Sequence, residues 1–126
     1  MGNSFTITVV AHNEKTGNEN ISLAIEEIRR IEKLLTTYKE DSQTNLINEN
    51  AGIRPVEVDL EVFNLIERSI GISKITQGAF DISYGSIDKS LWNFDRAMTK
   101  LPDVQTAKKM VHLIDYRKII LDRENT

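Results

Sequence analysis

From Ile21 to Tyr38 the apolar residues Ile21, Ala24, Ile25, Ile28, Ile31, Leu34 and Leu35 recur at steps of three and four. Glu26, Glu27, Arg29, Arg30, Glu32 and Lys33 fill the opposite face. That period predicts an amphipathic helix over 21–38, with Asn20 or Ser22 as its cap and charge pairs such as Glu26 with Arg30 along its polar side. A second stripe, Val62, Phe63, Leu65, Ile66, Ile70 and Ile75, predicts a helix from Leu60 to about Thr76 with Asp59 at its start, interrupted only by Gly71. Pro102 and Asp103 open a third predicted helix over 104–113. A shorter one is expected over 45–51, with Gly52 at or beyond its end.

Period two takes over at the start of the chain. Phe5-Thr6-Ile7-Thr8-Val9-Val10 alternates and then runs apolar, with β-branched residues throughout, and is read as a strand with one buried face. Val56-Glu57-Val58 and Lys118-Ile119-Ile120-Leu121 are further strand candidates. The polar stretches 12–20, with Gly17, and 39–44 read as loops, and Gln77-Gly78 breaks the pattern before an extended or turn-like stretch over 79–84. One or two helical turns are expected over 86–93. These elements predict an α+β fold with long amphipathic helices packed on a mainly antiparallel sheet. The sheet's strands are few and far apart, so the fold is expected to be incomplete in this chain. Residues 1–126 are read as a single domain or as the N-terminal part of one.

Composition narrows the picture without naming a reaction. The chain is 40% hydrophobic and 28% charged, with a net charge of -3. That balance fits a globular protein and argues against a nucleic-acid partner, which needs clustered Lys and Arg. No stretch has the length and apolarity of a transmembrane segment. There is no cysteine, which excludes disulfides, thiolate metal sites and a cysteine nucleophile. Met1 to Val10 has neither a basic start nor a long apolar run, so a secretory signal is not expected there, and no N-terminal Cys offers a lipid site. Gly-rich phosphate loops, zinc-binding His pairs and a nucleophile elbow are missing. His12 and His112 have no partner at ligand spacing, and Glu26, Glu27 and Glu32 read as a solvated helix face.

Four stretches carry a resemblance. The first is Met1-Gly2-Asn3-Ser4-Phe5-Thr6-Ile7. The second is Ile28-Arg29-Arg30-Ile31-Glu32, continuing through Thr37-Tyr38, Asp41-Ser42 and Leu46-Ile47-Asn48. The third is Asn50-Ala51-Gly52 with Pro55-Val56. The fourth is Thr76-Gln77-Gly78-Ala79-Phe80-Asp81-Ile82-Ser83 with Leu91-Trp92-Asn93-Phe94. In order and spacing they resemble the N-terminal portion of the ApbE family of FAD:protein FMN transferases. Asn3 stands where the family usually has Thr, and Asn93 where it usually has Gly.

The resemblance implies an enzyme that moves FMN from FAD onto a Ser or Thr hydroxyl of a target flavoprotein, with Mg2+, releasing AMP. It implies that Met1, Tyr38, Ala79, Phe80 and Asp81 contact FAD. Tyr38 and Phe80 would line or stack on a planar ring, and Met1 would add an adaptable contact. Asp81 would accept a hydrogen bond from a sugar hydroxyl or ring N–H, or act near the metal. Trp92 is read as core. The family's Ala-Lys-Gly segment and its later Asp/Thr metal cluster have no counterpart in these residues. The Mg2+ ligands are therefore expected outside this chain, no catalytic residue is assigned within it, and the chain alone is expected to be inactive. Two alternatives keep the fold: an FAD pyrophosphatase, and a truncated remnant or interaction domain without catalysis. Family members are often periplasmic and lipid-anchored.

Overall fold

The computed structural model describes residues 4–86 and 103–124. The chain divides into two compact units, Met1–Val56 and Glu57–Thr126. The first holds helices α1 (Glu14–Leu35) and α2 (Gln43–Asn50). The second holds α3 (Leu60–Ile75), a 3-10 turn over Ile82–Ser86, α4 (Val104–Val111) and a second 3-10 turn over Tyr116–Lys118.

Helix α1 starts earlier than its apolar period. Asn13, not Asn20 or Ser22, is the cap, and its Oδ1 accepts the Thr16 N–H at 2.9 Å. The stretch 12–20, expected as a loop, is thus mostly helical, and Gly17 lies inside the helix. A single interior glycine costs only about 1 kcal/mol relative to Ala. The cap bond and the long apolar register beyond it outweigh that cost. On the polar face Arg30 pairs with Glu27, through Nε and a terminal guanidinium nitrogen at 2.8 Å each. The bidentate bond holds the Glu27 carboxyl below the ordinary range. The helix stops at Leu35 because Thr36 turns extended, with ψ 142°, so Tyr38 lies beyond the helix rather than at its end.

Ser42 starts α2. Its buried Oγ accepts the Asn45 N–H at 3.1 Å and donates to Thr36 O at 2.5 Å, tying the end of α1 to the start of α2. Helix α3 runs unbroken through Gly71, as the apolar stripe requires. It carries the buried apolar residues Val62 and Phe63. Arg123 lies over the Phe63 ring, 4.8 Å from its centroid, and its guanidinium reaches Glu67 at 2.8 Å. This fastens the 119–124 segment to α3. Asp103 caps α4, accepting the Gln105 and Thr106 N–H groups at 3.0 Å each.

The expected antiparallel sheet is not there. Among the described residues the elements are helical, and no strand pairs with another. Residues 5–10 and 56–58 take no assigned secondary structure and form no ladder, and Lys118 belongs to a 3-10 turn. The α+β assignment is therefore corrected to a helical arrangement for these residues. The physical reason is that β-propensity makes a segment extended, but a strand exists only when a second backbone takes its N–H and C=O groups. The expected turns over 86–93 lie mostly outside the described residues. No described helix is long and apolar enough to cross a membrane.

Two outcomes are expected from this packing. Phe63→Ala should destabilise the protein by about 3–5 kcal/mol, the range for truncating a buried aromatic. Ile28→Ala should cost less, because the α1 stripe is only half-buried; urea unfolding of both variants checks the order. Acid should loosen the start of α4. The Thr106 hydroxyl and N–H bonds hold the Asp103 carboxyl below its ordinary pKa. Its stabilising contribution is therefore present above the unfolded carboxylate pKa and is lost as pH falls through the lowered folded value. Amide exchange at Gln105 and Thr106 should accelerate below that range in the wild type, and Asp103→Asn should remove the pH dependence.

Candidate functional site

The stretch from Thr76 to Ser83 is built from the end of α3 outward. Gln77 has φ 53° and Gly78 φ 84°. Gly78 N–H returns to Ser73 O at 2.9 Å and Gln77 N–H to Lys74 O at 3.2 Å, the paired bonds of a Schellman stop. Glycine suits the second left-handed position because it has no Cβ. Thr76 then organises the turn beyond the helix. Its carbonyl accepts the Ala79 N–H at 3.1 Å, and its Oγ1 accepts the Phe80 N–H at 3.1 Å while donating to Ile72 O at 3.0 Å. The amides of residues 77–80 are thus all engaged within the turn. A phosphate cradle needs free amides pointing at the anion, so this turn is not one. What it presents is the Phe80 side chain, 44% exposed, beside an exposed Ala79.

Asp81 faces inward. Its Oδ1 accepts from the Ser83 N–H at 2.9 Å and the Ser83 hydroxyl at 2.8 Å. Its Oδ2 accepts the Tyr116 N–H at 2.9 Å. Ser83 Oγ in turn accepts the Asp115 N–H at 2.8 Å. Both carboxylate oxygens are thereby committed to a half-buried junction between segments far apart in sequence. Asp115 is also bonded by the Arg117 side chain and N–H, which lower its pKa and raise that of Arg117.

Tyr38 belongs to the first unit. Its N–H donates to Thr36 Oγ1 at 3.2 Å, and its side chain is 88% exposed. Met1 and Trp92 lie outside the described residues. Ser83 closes the motif stretch without a role of its own in the sequence, and Asp115 and Tyr116 belong to no motif. The Asp-Xaa-Ser spacing at 81–83 is a local signal for a side chain bonding the backbone two residues on, but nothing in the sequence marks 115–116 as its distant partner. Among the described residues no three His, Asp or Glu gather into a metal site.

Tyr38 in the first unit and Phe80 in the second are each exposed aromatics. The ApbE family model matches residues 1–126, and the chain belongs to the ApbE family. It is 30% identical over 122 residues to an FAD:protein FMN transferase of Klebsiella pneumoniae (strain 342), covering 97% of this chain and 37% of that protein. A protein of the same name from Treponema pallidum (strain Nichols) is 33% identical over 107 residues, covering 80% of this chain and 29% of the relative. Among solved structures, the ApbE protein of Thermotoga maritima superposes with a TM-score of 0.75 at 26% identity, over 90% of this chain and 37% of that one. The chain thus spans about a third of the length of the relatives it matches.

Proposed function

We propose that this chain contributes one side of the FAD site of an FAD:protein FMN transferase. The observation that carries the reading is the family match over the whole chain, joined to relatives named for that activity. The geometry supports it through exposed aromatics at Tyr38 and Phe80, two of the positions at which the resemblance implies flavin contact. Met1, Ala79 and Asp81 complete the set of positions that the resemblance implies. In the reaction an acceptor Ser or Thr oxygen attacks the phosphorus on the FMN side of the FAD diphosphate. The bond to the AMP phosphate breaks, AMP leaves with the electron pair, and the hydroxyl proton passes to a base or to water. The residues of this chain bind and orient the ring end of FAD.

Two measurements test this. The 126-residue chain alone should bind FAD weakly and transfer no FMN, because a ligand held from one side loses the contacts of the other. FAD fluorescence titration, and intact mass of a target bearing the acceptor Thr, check both; low-micromolar binding or a mass gain of one FMN would overturn that expectation. In the intact protein, Tyr38→Ala should weaken FAD binding by about 1–3 kcal/mol, the scale of a lost aromatic stack. It should change stability by no more than about 0.5 kcal/mol, as for an exposed side chain. Unchanged FAD affinity in Tyr38→Ala would remove Tyr38 from the site.

A further inference from the structure

We propose that Asp81 and Ser83 are positioning residues, which set the ligand-facing turn at 79–80 by fastening it to residues 115–116; the proposal rests on the reading of an FAD site. The geometry gives Asp81 a role within the protein itself. Its carboxylate already accepts three hydrogen bonds, from Ser83 N, Ser83 Oγ and Tyr116 N, at 2.8–2.9 Å. Those bonds hold the carboxylate to the backbone around it, and leaving a half-buried amide such as Tyr116 N–H unpaired is costly. The same bonds give Asp81 its task. Phe80 precedes it directly, and the Phe80 N–H is fixed from the other side by the Thr76 hydroxyl. The backbone that carries the Phe80 ring is therefore clamped at both ends: to α3 through Thr76, and to residues 115–116 through Asp81 and Ser83.

Ser83 makes the clamp two-stranded. Its hydroxyl donates to Asp81 Oδ1 and accepts from Asp115 N–H, so a single oxygen relays the carboxylate to a second backbone amide. A hydroxyl is the group suited to that position, because it donates and accepts at one atom. Alanine breaks both bonds, whereas threonine keeps them. Holding an aromatic ring in its bound orientation before the ligand arrives removes an ordering cost from binding. Loosening the clamp should therefore weaken affinity without removing any contact to the ligand.

The test is made on the intact protein, with FAD as the probe. Hydrogen exchange at residues 115–116 and the FAD dissociation constant, measured well below the melting temperature, are compared for wild type, Ser83→Ala, Ser83→Thr, Asp81→Asn and Phe80→Ala. The expected pattern is faster exchange at 115–116, together with a roughly three- to tenfold rise in the dissociation constant, for Ser83→Ala and Asp81→Asn. Ser83→Thr should restore both readouts. Phe80→Ala should raise the dissociation constant with exchange unchanged. Faster exchange with unaltered FAD affinity in Ser83→Ala would make the junction purely structural and overturn the proposal. A large affinity loss in Asp81→Asn with undisturbed exchange would make Asp81 a direct contact and overturn it equally. If a variant fails to fold, the Ser83→Thr and wild-type pair still decides: loss of affinity in Ser83→Thr with exchange preserved sinks the clamp. Failure of the FAD reading itself is seen separately, as absence of binding in the wild type.

Discussion

Backbone N–H groups that leave a helix or enter a turn must find acceptors, and in this chain short polar side chains supply them. Asn13 opens α1, Ser42 opens α2, and Asp103 opens α4. Thr76 closes α3 and holds the turn beyond it. Asp81, Ser83 and Asp115 then organise the two 3-10 turns of the second unit. Each such bond is worth only about 1 kcal/mol net, but leaving its donor buried and unpaired costs more. That asymmetry makes the positions of these small residues decisive. Ser42 and Ser73 show it most clearly: both are fully buried, and both hydroxyls donate to a backbone carbonyl.

Apolar burial is less concentrated. Among the described residues the buried hydrophobic side chains are Val62 and Phe63, both on α3. Helix α1 has a well-formed apolar stripe, yet no residue of it is buried. Phe5, Val10 and Ile120 are exposed on backbone that belongs to no helix. Each of these three lies in a segment whose pattern predicts a strand. Side-chain pattern prepares one face of a strand, while the ladder that would complete it depends on another backbone.

The Thr-Gln-Gly-Ala-Phe-Asp-Ile-Ser stretch serves two ends at once. Thr76, Gly78, Asp81 and Ser83 act on the backbone, stopping a helix, turning the chain and joining distant amides. Phe80 is left facing outward from a frame whose own amides are engaged. This division accounts for residues of such different chemistry standing together in one short stretch. Most of them build the frame, and the aromatic is what the frame presents.

The helices were legible in the sequence because their signal is local. A 3.6-residue period over α1 and α3, and Asp103 ahead of α4, depend only on residues within a few positions. The family motif was legible for the same reason. The start of α1 was missed because Gly17 and the polar run around it read as loop, whereas the Asn13 cap bond carries the helix through them. The sheet was misjudged because extended propensity is local and pairing is not. Exposed Tyr38 and Phe80, and the commitment of Asp81 to Ser83 and Tyr116, were decided by tertiary structure alone. A residue's identity determines which donors and acceptors it offers. Only the folded chain, by bringing residues 115–116 to the Asp81 carboxylate, determines which of those groups are already taken.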